Sequence, residues 1–142
     1  MILNTISFPD GRGSILNKRS LLRSMNNHEL ITGEGRTKLC LSAYSLGKDL
    51  VVLIYNEKAH LGAVAVGEYD RKEKRVSTSV FTRLGHKDDV VAQKAANLLG
   101  KHTKKPVCVV AGIHVDNITE AEIKQFLENS NKLVEDFINK WL

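Results

Sequence analysis

Apolar residues recur at every second position over the first half of the chain's body and at helical spacing further on, so the pattern predicts strands first and helices later. In residues 38–46, Leu39, Leu41, Ala43 and Ser45 share one face of a strand. Gly47 and Lys48 then allow a tight reversal, because glycine takes positive φ at little cost. Residues 50–55 (Leu-Val-Val-Leu-Ile-Tyr) are continuously apolar, which predicts a central strand covered on both faces. Residues 61–66 form a strand of small residues, and Gly62 and Gly67 suggest a bulge or a close backbone approach. The polar run 70–75 makes a hairpin loop. Val76, Thr78, Val80, Thr82 and Leu84 alternate with Ser77, Ser79, Phe81 and Arg83 as a fourth strand. Short links join the four, which predicts an antiparallel meander.

The period changes at Gly85. Asp88 and Asp89 stand where a first helical turn favours carboxylates, and Val91, Ala95, Leu98 and Leu99 make one apolar stripe that stops at Gly100. Residues 107–111 (Val-Cys-Val-Val-Ala) read as a buried strand. The last helix is the best-marked element. Thr119 with Glu122 is a capping box, Ile118 with Ile123 a hydrophobic staple, and Phe126, Leu133, Val134, Phe137, Ile138 and Trp141 continue at helical spacing. At the other end, residues 1–8 alternate weakly as an extra edge strand, stopped by Pro9 and two glycines. Residues 14–35 are the least legible part. Ile15, Leu16, Leu21, Leu22, Met25 and Leu30 give one face of a short helix, or the stretch is a mobile, partner-binding arm. The expected fold is α+β in two layers: a mainly antiparallel sheet in the order strand-strand-strand-strand-helix-strand-helix, with both helices on one face.

Length and charge narrow this picture. The 142 residues fit one domain, and halves would be too small for separate cores. No apolar run approaches the ~20 residues of a membrane helix, and the start lacks a signal-type pattern, so the expected location is cytoplasmic and no membrane partner is implied. Cys40 and Cys108 fall in apolar strands without CxxC spacing and read as reduced, buried thiols. The net charge of +5 is uneven: residues 12–38 carry six cations against two acids, whereas residues 39–142 carry fifteen against thirteen. The basicity belongs to an N-terminal insertion, residues 12–36, more than to the folded body. A solvated loop accounts for it more simply than a nucleic-acid partner.

Three segments place polar residues where strands end or helices begin. In the first, His60 precedes the small-residue strand and Gly62 leaves room for a ligand. In the second, Gly85, His86, Lys87 and Asp88 lead into a helix whose free amides suit an anion. In the third, His114, Asp116 and Asn117 link a buried strand to the capped helix. Each has a plain structural counterpart: a strand-end hydrogen bond, a helix start, a side-chain-shaped loop. His60, His86, His114 and Asp116 have zinc-binding atoms but lack the close spacing that seats two ligands on one element. No Gly-x-Ser-x-Gly elbow, Walker or dinucleotide motif occurs, which argues against a self-contained enzyme.

Asp49-Leu-Val-Val52, His60-Leu-Gly-Ala-Val-Ala65, Leu84-Gly-His-Lys-Asp-Asp89 and the most specific stretch, Ala111-Gly-Ile-His-Val-Asp-Asn-Ile-Thr-Glu120, occur in this order. Over roughly residues 35–133 the chain resembles the small D-subunit family of gallate and hydroxyarylic-acid decarboxylases, also described as prenylated-flavin chaperone-like. The resemblance implies a fold related to proteasome-assembly chaperones. It implies a non-catalytic accessory subunit for a prenylated-flavin-dependent decarboxylase, with no permanently bound cofactor and prenylated FMN met transiently. His60, Gly62, Gly85, His86, Lys87, Asp88, His114, Asp116 and Asn117 are then the candidate contacts, and a homodimer or higher oligomer is compatible. The rival readings are a protein-assembly module and a small histidine- or metal-dependent enzyme.

Overall fold

The computed structural model describes residues 27–84 and 88–142. Strand β1 (Asn27–Thr32) leads through a 3-10 turn (Gly35–Thr37) into β2 (Leu39–Leu46), β3 (Asp49–Tyr55), β4 (Ala63–Asp70) and β5 (Arg75–Thr82). Helix α1 (Asp89–Thr103), strand β6 (Val107–Gly112) and helix α2 (Glu120–Trp141) follow. The expected edge strand at residues 1–8 lies outside the described residues. So does most of the stretch read as a helix face, but its end does not: Leu30 sits in β1, paired with Leu41 across an antiparallel ladder.

The six strands form one mixed sheet in the order β1-β2-β3-β6-β4-β5. This corrects the expected meander and the mainly antiparallel sheet. β6 enters between β3 and β4, parallel to β3 and antiparallel to β4. Connection lengths show why. β2 and β3 are joined by two residues, Gly47 (φ 61°) and Lys48, and pair directly. Between β3 and β4 lie residues 56–62, too long for a tight hairpin and long enough to cross a gap one strand wide, roughly 10 Å. A parallel neighbour requires a crossover, and the route from β3 through β4, β5 and α1 to β6 supplies it.

One face of the sheet carries the core. Leu41, Ile54, Ala111 and Ala63 stand side by side in register, as do Ala43, Val52, Val109 and Ala65, and all are buried. Both helices lie on this face. α1 packs over β4, β5 and β6, and α2 over β1 and β2, contributing Ala92, Ala96, Leu99, Leu133 and Phe137 to the same core. Burying one Leu or Ile side chain contributes roughly 1.5–3 kcal/mol, so this face supplies most of the fold's stability. His28 stacks on Trp141 at 4.5 Å and closes the β1 edge.

Helix α1 does not stop at Gly100. It runs to Thr103 and ends at Lys104, which takes the left-handed conformation (φ 53°). Gly100 is instead a packing residue: a Cβ there would meet Val76 at 3.2 Å, and one on Gly67 would meet the Ala96 carbonyl at 2.7 Å. The two glycines let α1 sit close on the sheet. At α2 both bonds of the expected capping box form, Glu122 N to Thr119 Oγ1 at 3.1 Å and Thr119 N to Glu122 Oε1 at 3.2 Å. Among the described residues no helix is long and apolar enough to cross a membrane.

Candidate functional site: the carboxyl ends of the parallel pair

Strands β3 and β6 run side by side and end together at Tyr55 and Gly112, so the loops that follow them leave from the same edge of the sheet. Asn56 ties these loops together. Its buried side chain donates from Nδ2 to the His114 carbonyl (2.8 Å) and accepts from the His114 amide through Oδ1 (3.1 Å). Two bonds from one amide to one residue's backbone fix the start of the 113–119 loop. From there the His114 ring reaches the His60 ring, centroids 5.4 Å apart.

Asp116 is the electrostatic centre of this loop. Its carboxylate accepts from Lys58 Nζ (2.8 Å) and pairs with His114 Nε2 (3.0 Å), while its carbonyl accepts from Arg36 Nη2 (2.7 Å). The Lys58 hydrogen bond, then that of His114, holds the Asp116 carboxyl below its usual range. Arg36 also pairs with Glu122 through Nε at 2.8 Å. The Glu122 carboxyl is lowered first by the Thr119 amide, and then by Arg36 as well. Arg36 is held in place from below. Asn129 of α2, buried in the core, donates to the Thr37 carbonyl at 2.9 Å. Gly33, with φ 80°, lies so close that a Cβ would come within 2.5 Å of Asn129 Nδ2.

Arg36, Asn56, Lys58, His114 and Asp116 line a cavity of about 540 Å³, within the usual size range of small-molecule sites. Its wall carries three cations, Arg36, Lys38 and Lys58, against two carboxylates, Glu57 and Asp116. Lys38 has no ion-pair partner among the described residues. The floor is Tyr55, whose hydroxyl bonds Ser42 (3.0 Å), with Cys40 beside it. Such a wall suits an anion attached to a flat, partly apolar body.

The nine residues singled out from sequence distribute as follows. His114 and Asp116 line the cavity, and His60 stands next to it against His114. Asn117 takes positive φ (50°) in the turn after Asp116. Gly62 is a close-approach residue: its amide donates to the Ala111 carbonyl at 3.0 Å, and a Cβ on it would collide with the Asp88 carboxylate. Asp88 caps α1 through backbone alone. Gly62 thus neighbours Asp88, and Gly112 neighbours His60, at one corner of the sheet. Gly85, His86 and Lys87 lie outside the described residues. Among the described residues no three His, Cys, Asp or Glu side chains group closely enough for a metal ion.

Sequence reasoning missed Arg36, Lys38, Tyr55, Asn56 and Lys58 as cavity residues. Asn56 carried a readable signal, a lone amide directly after six apolar residues. Arg36 and Lys38 were visible as charge but belonged to a segment read as a loop.

No curated protein matches the chain significantly. Among solved structures, the chain is similar to one in the crystal structure of a novel chaperone complex for yeast 20S proteasome assembly. Identity is 11%, the match covers 81% of this chain and 93% of the other, and the TM-score is 0.54, a likeness of fold. A family model, the prenylated flavin chaperone LpdD-like domain, matches residues 33–142, which span β2 to α2 and every lining residue of the cavity. With the ordered motifs and the shared fold, that match places the chain: it belongs to the prenylated flavin chaperone LpdD-like domain family.

Proposed function

We propose that this chain is a chaperone that receives a phosphorylated flavin in the cavity at the ends of β3 and β6 and assists a prenylated-flavin-dependent decarboxylase in acquiring or retaining it. The observation that carries this reading is the juxtaposition of Arg36, Lys38 and Lys58 beside Tyr55 in one cavity of about 540 Å³. A flavin mononucleotide is a dianionic phosphate joined to a flat ring, and the wall offers a matching pair of features. Lys38 would meet the phosphate first, since it has no carboxylate to leave. Lys58 would exchange Asp116 for it, and Arg36 would stay as a structural strut between Glu122 and the Asp116 carbonyl. Tyr55 and Cys40 would line the ring. Bound there, the cofactor keeps the electron-sink chemistry that it supplies in the decarboxylase, while this chain binds and shields it.

His60, His114, Asp116 and Asn117 shape the loop that frames the cavity in this proposal, and Gly62 and Asp88 set how closely that corner packs. The pairs involved are exposed, which makes ligand exchange inexpensive and salt-sensitive. That suits transient holding better than permanent binding. A second, rival reading, a protein-assembly module, is favoured by the uncovered outer face of the sheet.

Co-expression tests the proposal. A prenylated-flavin-dependent decarboxylase produced with this chain should carry more cofactor and more activity than the same enzyme produced alone, and Lys38→Glu should remove most of the gain. Equal cofactor content with and without the chain would overturn the reading.

A further inference from the structure

The inward face of α2 is built mainly from Phe126, Leu133, Val134 and Phe137, yet Asn129 stands among them, only 6% exposed. A buried amide is costly unless its polar ends are hydrogen-bonded, and here both are. Gln125 Nε2 donates to Asn129 Oδ1 at 2.9 Å, which fixes the way the amide points, and Asn129 Nδ2 donates to the Thr37 carbonyl at 2.9 Å. Gly33 lies over this second bond: a Cβ there would stand 2.5 Å from Asn129 Nδ2 and 3.0 Å from the Thr37 oxygen. The held carbonyl belongs to the peptide that joins Thr37 to Lys38. Two helical turns earlier on the same face, Glu122 takes the Arg36 guanidinium at 2.8 Å. Helix α2 thus grips the 3-10 turn on both sides of Thr37.

We infer that Asn129 is a positioning residue for the cavity: through the Thr37 carbonyl it aims Lys38 at the bound anion. The inference rests on the phosphorylated-flavin reading above and adds to it a residue outside the cavity wall, since Asn129 is not among the lining residues. The two cations beside Thr37 are directed in different ways. Arg36 is fixed at its head, by Glu122 and by the Asp116 carbonyl. Lys38 has no ion-pair partner among the described residues, so its long, flexible stem is directed only by where its backbone stands. The turn that carries it is weakly held by its own bonds. Lys38 N reaches the Gly35 carbonyl at 3.4 Å, and Thr37 Oγ1 reaches the Glu34 carbonyl at 3.3 Å, both long for hydrogen bonds. Gly33 and Gly35, at φ 80° and 57°, add conformational freedom on its entry side. The Asn129 bond is shorter than either of the turn's own, and it comes from a rigid helix. It is therefore the contact that fixes the Lys38 backbone.

A double-mutant cycle tests this, read by anaerobic titration of the full chain with reduced prenylated FMN. Asn129→Ala should weaken binding about fivefold, the scale of one net hydrogen bond, with the helical circular dichroism retained. Lys38→Gln alone should weaken it about tenfold, through loss of a charge-assisted contact. In the Lys38→Gln chain, Asn129→Ala should then cost less than about twofold, because the side chain that it aims is gone. Gly33→Ala displaces the Asn129 amide from the loop side, should repeat the pattern, and serves if Asn129→Ala does not fold. Wild-type affinity in Asn129→Ala would overturn the inference and leave the flavin reading standing. So would a loss of the same factor with and without Lys38, which is what a merely structural residue would give. No saturable binding by the wild type, or binding indifferent to Lys38→Gln, would overturn both together.

Discussion

The two faces of β3 and β6 are made of similar residues and have different fates. Val52, Ile54 and Val109 on one side are fully buried under α1 and α2, while Val51, Leu53 and Val110 on the other keep part of their surface in solvent. The strands are apolar at both parities, yet the chain's own helices cover only one of the two faces. Continuous apolarity therefore does not tell the covered face from the open one in sequence.

Substitutions at adjacent positions separate the two roles. Ile54→Ala should cost the monomer about 2–5 kcal/mol, since the packed core cannot close the cavity left behind, and chemical denaturation at low protein concentration measures it. Asn56→Ala comes next. It leaves the His114 amide and carbonyl without their side-chain partner, a loss of about 1–3 kcal/mol, and it should loosen the 113–119 loop, read as faster amide exchange there. Leu53→Ala, one residue from Ile54 but on the outer face, should cost less than about 1 kcal/mol. If Leu53→Ala destabilised the monomer as much as Ile54→Ala, the contrast between the faces would be broken.

The smallest effect is electrostatic. Lys58 and His114 hold the Asp116 carboxyl below its usual value of 3.8. A lowered folded value means that the contribution is complete at neutral pH and is lost only as pH falls through that lowered value. The Lys58–Asp116 pair should thus persist at about pH 5 and open in more acid solution, which a carboxyl NMR titration would follow. Asp116→Asn should abolish the transition while leaving the fold intact.

Much of the fold was legible because local signals agreed with the tertiary outcome. Thr119 and Glu122 marked the start of α2, Gly47 marked the β2–β3 turn, and unbroken apolarity marked β3 and β6 as central. Strand order was not legible, because periodicity reports which face a residue occupies and not which strand lies beside it. The one available signal, the seven residues between β3 and β4, needed to be weighed against the two between β2 and β3. Gly100 misled because a glycine late in a helix looks the same whether it ends the helix or admits a neighbour, here Val76. At the candidate site, the motif around His114 and Asp116 pointed to a loop that lines the cavity. The cations Arg36 and Lys38 reach it through the β1–β2 connection and an anchor, Asn129, 92 residues away from Thr37. No local pattern encodes that contact.

The most direct measurement is an anaerobic titration of the chain with reduced prenylated FMN, followed by flavin fluorescence anisotropy in low and high salt. The account predicts saturable binding that weakens with salt and falls at least about tenfold in Lys38→Glu. Binding of equal strength in the wild type and Lys38→Glu, or none in either, would contradict it.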